Sequence, residues 1–295
     1  MKRAMLVGFF MVMGSLMVWG ISPYLLIADL PGSMDDAKNE VNSALTGNGY
    51  DVIGEYRPGE NPDLYVVVFT SDKIKALCQK SEDRGLLAAA MKVGFQQKDG
   101  KISVSILNPE YLFYAYFRNK MEDASFKSSA LAISSEIVND MKSVGELLEP
   151  FGGELSVKDL LKYHYMMGMP FFDDPVELAE FESFEQGLSI IQKNLSAGSP
   201  TTMKVYEMID ENSEVAVFGI GLPDLEEGEA HFLPIIGEDH VAAMPYEIIL
   251  QKNVATMLHG RYRFALHWPE LTMGTFTKIM SSPGDVKDAM KTLVE

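Results

Sequence analysis

All five histidines, His164, His231, His240, His259 and His267, fall after residue 150. A chain whose second half alone carries imidazole directs the search for a site there. Glu238-Asp239-His240 is followed by Met244-Pro245-Tyr246-Glu247, which gathers carboxylate, imidazole, thioether and phenol. His240, Tyr246 and Glu247 are residue types suited to general acid–base work. Imidazole and carboxylate also suit zinc or copper, and the Met244 thioether suits Cu(I). No HxxxH, HExxH or HxH spacing accompanies them, so a solvated loop leading into a strand is the plainer expectation.

The densest polar-aromatic stretch is His259-Gly260-Arg261-Tyr262-Arg263-Phe264, continuing to His267-Trp268. If extended, it puts Arg261, Arg263 and both histidines on one face. His259 and His267 would then lie about 26 Å apart, too far to share one ion. The two guanidiniums would hold an oxyanion by bidentate hydrogen bonds, with internal salt bridging to the 42 acidic residues as the alternative. His164-Tyr165-Met166-Met167-Gly168-Met169 invites a copper reading through His164, Met166, Met167 and Met169. Packing between two halves is the plainer role of such methionines. Tyr111-Leu112-Phe113-Tyr114-Ala115-Tyr116-Phe117 reads as core, plus a sheet face covered by a partner surface. Cys78, the single cysteine, lies near Lys75 and Lys80 in sequence. Those lysines would lower its pKa only if the three groups were close in space; a packed thiol is the simpler expectation. Asp35-Asp36 and Asp173-Asp174 read as acids at a helix start or in a loop. Walker A, GxGxxG and GxSxG patterns are absent after the first segment, and no catalytic residue is assigned.

The elements that would position these residues are written twice, about 150 residues apart. Ile27-Ala28-Asp29-Leu30 corresponds to Leu178-Ala179-Glu180-Phe181, and Ala37, Val41 and Leu45 to Gly187, Ile191 and Leu195. Asp63–Phe69 aligns with Ser213–Gly219, Ala89-Ala90-Met91 with Ala242-Ala243-Met244, and Tyr111-Leu112-Phe113 with Tyr262-Arg263-Phe264. A period this long indicates a duplicated domain rather than a solenoid. Each unit reads as α+β: a strand, an amphipathic helix, two strands, a variable segment, two more strands and a closing helix. Leu64–Phe69 is a continuous apolar run suited to a buried strand, and Lys98-Asp99-Gly100-Lys101 carries a hairpin turn. The expected sheets are antiparallel or mixed, with helices on one face. A lone unit would leave sheet surface bare, so the two repeats are expected to pack as a pseudo-twofold intramolecular dimer. The divisions are residues 1–21 as leader, 22–150 as repeat one, 151–175 as a packed linker and 176–295 as repeat two.

Lys2 and Arg3 precede an apolar run from residue 4 to residue 21. This pattern is a signal peptide or a single-pass membrane anchor, with the basic end cytoplasmic and the remainder exported. The chain of 295 residues has net charge −17, and without the leader's two cations about −19. Such a body is a poor partner for nucleic acid, because phosphate repels it. One cysteine excludes a disulfide framework, a CxxC pair and CxxCH haem attachment.

The helix before Tyr50-Asp51-Val52-Ile53-Gly54, the strand Leu64–Phe69 and Ala243-Met244-Pro245-Tyr246-Glu247-Ile248-Ile249 together resemble the bacterial and archaeal domain-of-unknown-function family 302. Met91-Lys92-Val93 in repeat one lacks the proline of that pattern. The resemblance implies a compact α+β unit that pairs as a dimer, here fused in one chain. It implies no established activity and carries over no catalytic residue. The expected function is therefore an exported, periplasmic or otherwise extracytoplasmic, non-enzymatic binding or accessory module. It would work at the outer face of the cytoplasmic membrane beside a protein partner and without a cofactor. Its candidate ligand-binding residues are His240, Met244, Tyr246, Glu247, His259, Arg261 and Arg263. The alternatives are a copper or redox accessory protein and a small acid–base enzyme with its site in repeat two.

Overall fold

The computed structural model describes residues 20–295. The expectation of a leader falls on residues outside these, except for its last two. Gly20–Ile21 is not part of an apolar helix; it forms a short strand, β1, paired antiparallel with Leu155–Ser156. Among the described residues, no helix is long and apolar enough to cross a membrane.

The first half runs β2 (Tyr24–Pro31), α1 (Met34–Gly47), β3 (Asp51–Tyr56), β4 (Leu64–Thr70), α2 (Asp72–Cys78), β5 (Met91–Lys98), β6 (Lys101–Leu107), α3 (Pro109–Phe117) and α4 (Ala124–Met141). Ser33 starts α1 by accepting the Asp36 N–H, and the Asp36 carboxylate reaches back to Ser33. That reciprocal bond satisfies two of the amide groups a helix start leaves free. Ala37, Val41 and Leu45 fall one turn apart and are buried. All seven residues of β4 are buried, as expected of an unbroken apolar run. Asp99 and Gly100 take positive φ and close the β5–β6 hairpin. A connecting segment holds β7 (Glu149–Phe151), β8 (Leu155–Ser156) and α5 (Val157–Leu160). It is packed, with Leu160, Tyr163 and Phe172 buried.

The second half runs β9 (Val176–Glu180), α6 (Phe184–Ala197), β10 (Met203–Asp210), β11 (Val215–Gly221), α7 (Glu229–Ile236), β12 (Tyr246–Gln251), β13 (Val254–Met257), α8 (Gly260–His267), α9 (Met273–Phe276) and α10 (Ser282–Lys291). The molecule is a mixed α+β fold with antiparallel sheets. The first large sheet has the order β3-β4-β5-β6-β2-β7 and the second β10-β11-β12-β13-β9. Apart from the added β7, the order of connection is the same. The agreement extends to irregularities: Ile27 and Leu178 each bulge from the first strand of their half, and Ile53 and Val205 from the second. Helices α1 and α6 both have 14 residues and a serine cap.

The ladders correct the alignment drawn from sequence. Val68 pairs with Lys92, and Gly219 pairs with Glu247, in otherwise equivalent ladders. Leu64 therefore corresponds to Val215, one residue from the sequence alignment, and Met91 corresponds to Tyr246 rather than Met244. A one-residue slip changes the face a side chain occupies. Leu64–Phe69 is apolar on both faces and offers no alternation to fix its register in sequence.

Two further expectations are corrected. The stretch from His259 is not extended but forms α8, with His259 Nδ1 accepting the Arg261 N–H at 3.2 Å. Tyr111–Phe117 likewise forms a helix, α3, begun by Asn108-Pro109 and buried all round. A helix apolar on every side belongs inside a core.

The halves meet through backbone brought close by glycine. A Cβ on Gly54 of β3 would lie 2.5 Å from the Val205 carbonyl of β10. A Cβ on Gly94 of β5 would lie 2.6 Å from the Ala242 nitrogen, in the 3-10 turn Glu238–Ala243 of the other half. This turn is therefore no solvated loop: His240, Val241, Ala242 and Ala243 are all buried. One continuous apolar core runs through both halves.

Candidate functional site

Three buried charged groups lie where the halves meet. Lys92 from β5 forms an ion pair with Glu247 from β12. Arg263 from α8 places its Nε 3.7 Å from the second Glu247 oxygen. Its Nη2 also donates to the carbonyls of Ala243 and Pro245, the latter at 2.8 Å. The guanidinium lies over the Tyr246 ring, 3.7 Å from its centroid. Arg263 thus ties α8 to the turn leading into β12, and Glu247 ties both to the opposite sheet.

Burial favours neutral Lys92 and holds its pKa below the ordinary lysine range, against the attraction of Glu247. Burial works against the Arg263 charge too, but Glu247 and the surrounding tyrosines hold its pKa above the usual value. Burial raises Tyr246 and Tyr206, so both phenols stay protonated. His267 is driven well below the ordinary imidazole value by burial, then by Arg263 and Lys92, and is neutral. Its Nε2 lies 3.5 Å from the Tyr116 hydroxyl.

A second polar contact across the junction centres on Glu229, the first residue of α7. Its fully buried carboxylate accepts from the Tyr56 hydroxyl at 2.9 Å and the Gly59 amide at 3.0 Å, both in the first half. Burial raises its pKa to about 7, against those hydrogen bonds. Nothing in Glu226-Glu227-Gly228-Glu229 distinguishes this acid from solvated neighbours. Lys92 left a clearer trace, as the only charge between Leu86 and Phe95.

Of the residues singled out by sequence, Tyr246, Glu247 and Arg263 converge, with Met244 buried between two carbonyls that Arg263 binds. His240 stacks on Trp268 at 5.8 Å, meets Tyr24 edge-on at 4.9 Å and shares a 2.8 Å contact between Nδ1 and Asp239. His259 and Arg261 do not join them. They mark the outer start of α8, so the expected oxyanion clamp is split: Arg261 is exposed and Arg263 buried. Cys78 is buried, and burial raises its thiol pKa rather than the lysines lowering it.

The connecting segment carries a run of exposed apolar side chains. Tyr165, Met166, Met167 and Phe171 are exposed, with Met167 at 95%. Tyr165 and Met169 line a groove with Phe264, Leu271, Met273 and Phe276, and exposed Arg261 stands at its edge. His164 is held by Nδ1 2.9 Å from the Met166 carbonyl and by its ring against Phe171 at 4.4 Å. Met167 faces solvent while Met169 lines the groove, so these sulfurs occupy different surroundings. Among the described residues, no three His, Cys, Asp or Glu side chains gather to hold a metal ion.

No family model and no curated protein matches the chain. Among solved structures, the crystal structure of an uncharacterized conserved protein DUF302 from Bacillus stearothermophilus is similar over 41% of this chain and 97% of its own. The identity is 13% and the TM-score 0.34.

Proposed function

We propose that this chain is an exported, non-enzymatic binding or accessory module at the outer face of the cytoplasmic membrane. In this reading it is built from two copies of one α+β unit, fused as a pseudo-twofold pair. The shared strand order and the four bulges at equivalent positions support the duplication. The basic-then-apolar leader supports export. Val18-Trp19-Gly20 is a poor cleavage site and runs directly into β1, which favours retention as an anchor.

One observation carries the non-enzymatic reading. Glu247, Lys92 and Arg263 are buried against one another, whereas general acid–base catalysis needs such groups beside a substrate. Their work is to join the halves, while the surface offered to a partner is apolar. Native mass spectrometry of full-length protein, released gently from its own membrane, tests the reading. The expected spectrum has the uncleaved polypeptide mass, bare or with a protein partner. A mass excess of copper, or of an organic molecule lost on denaturation, would overturn it.

A further inference from the structure

The exposed apolar groove lies where the chain leaves the folded body. A Cβ on Gly20 would lie 2.6 Å from Glu154 Cβ. A Cβ on the preceding residue, Gly153, would lie 2.7 Å from Glu270 Cγ and 3.2 Å from Pro269 Cγ. Leu271, one residue further on, lines the groove. No flexible linker intervenes, because Gly20 and Ile21 are already paired in β1. Residues 4 to 19 are the apolar run proposed above as the anchor, and they end where β1 begins. A segment entering a bilayer at residue 19 therefore holds the neighbouring surface of the body against that bilayer.

We infer that the groove lined by Tyr165 and Met273, with the adjoining exposed residues Met166, Met167 and Phe171 of the connecting segment, rests in the interfacial layer of the membrane that the leader enters. The inference rests on the anchoring proposed above and names the occupant of the groove as lipid. The chemistry is that of an interfacial surface: thioethers and aromatic rings supply apolar area that acyl chains can cover. Tyr165 presents a phenol, whose mixed character suits the headgroup level. Arg261, at the groove edge and in no ion pair among the described residues, is placed to meet lipid phosphate. An acidic body would not approach anionic lipid on its own. The tether supplies the proximity, and the apolar face supplies the orientation.

The test uses full-length protein in phosphatidylcholine vesicles. Nitroxide labels are placed on cysteines substituted for Met167 in the connecting segment, Met273 in the groove, or Leu225, which is exposed and belongs to neither. The native Cys78 is buried and does not compete for label. Collision rates with oxygen and with a water-soluble nickel chelate are compared, and vesicle flotation is measured in parallel. The expected result is flotation, with oxygen-over-nickel ratios several-fold higher at Met167 and Met273 than at Leu225. Flotation with equal ratios at all three sites would overturn the docking inference and leave the anchor standing. Failure to float would overturn the anchor, and the inference with it. Strong dipolar coupling between Met273 labels on separate molecules would assign the groove to a second copy and overturn lipid as its occupant.

Discussion

Glu229→Gln removes an ionisable group from the junction; its one oxygen can accept from Tyr56 or from Gly59 but not both, a cost that does not change with pH. The wild-type carboxyl has a pKa of about 7 in the fold against 4.5 for the unperturbed group. At 1.36 kcal/mol per unit, that rise is worth about 3 kcal/mol. The pKa is raised on folding, so the folded protein keeps a proton that the unfolded chain has released. Stability from this group is therefore full below pH 4.5 and is lost as pH rises through 7. Glutamine cannot release that proton. The expected outcome is that the stability of Glu229→Gln, relative to wild type, rises by about 3 kcal/mol between pH 4.5 and 8. Above pH 8 the difference levels off. Urea denaturation of both proteins across this range reads the difference directly, and the subtraction removes the other titrating groups. Parallel curves, with a constant difference at every pH, would refute the reasoning. They would mean that burial does not outweigh the hydrogen bonds to this carboxyl.

Glu247→Ala leaves Lys92 and Arg263 buried without their shared carboxylate, and is expected to cost about 3–5 kcal/mol in urea denaturation. Lys92→Met still leaves Glu247 facing Arg263 and should cost clearly less; the reverse order would show that Arg263 does not support the carboxylate. Gly94→Ala drives a methyl against Ala242 and should lower stability by about 1–3 kcal/mol. Gly284→Ala, in α10 with open space around it, should instead add about 0.5–1 kcal/mol, and thermal melts of the two variants give opposite signs. The buried Cys78 thiol should ignore an aromatic disulfide reagent at pH 8 and react fully once guanidinium unfolds the chain.

Local chemistry explains what was legible in the sequence. Asp35-Asp36 mark a helix start, and Asp99-Gly100 marks a hairpin, because the partners are neighbours in the chain. Ala37, Val41 and Leu45 show their helix by period, and their counterparts Gly187, Ile191 and Leu195 show the second. The charged residues of the junction could not be read this way. Glu247 meets Lys92 from 155 positions away and Glu229 meets Tyr56 from 173, and neither local sequence records the partner. The stretch from His259 misled for a different reason. Its cap is a histidine rather than a serine or aspartate, and its alternating arginines mimic a strand. Helical geometry turns those two arginines apart, which is why the oxyanion clamp dissolves into one surface residue and one buried tie.

The contacts at the junction also bear on the proposed duplication. Lys92 and Glu247 hold the same ladder position in their two sheets, and they touch. Counting eight residues on from the caps Asn108 and His259 gives Tyr116 and His267, and they touch as well. Gly54 and Tyr206 each follow the bulge of their strand, and a Cβ on Gly54 would lie 3.0 Å from Tyr206 Cβ. A residue that meets its own counterpart stands on a twofold axis, where in a dimer of separate identical chains it would meet itself. Two lysines or two glutamates would then face each other in the interior, and like charges there repel strongly. Fusing the copies removes that constraint, since each member of an axial pair can change alone. One half can then keep a small or cationic residue where the other places a bulky or anionic one. If the duplication proposed above holds, the Lys92–Glu247 pair occupies a position where two identical chains would oppose like residues.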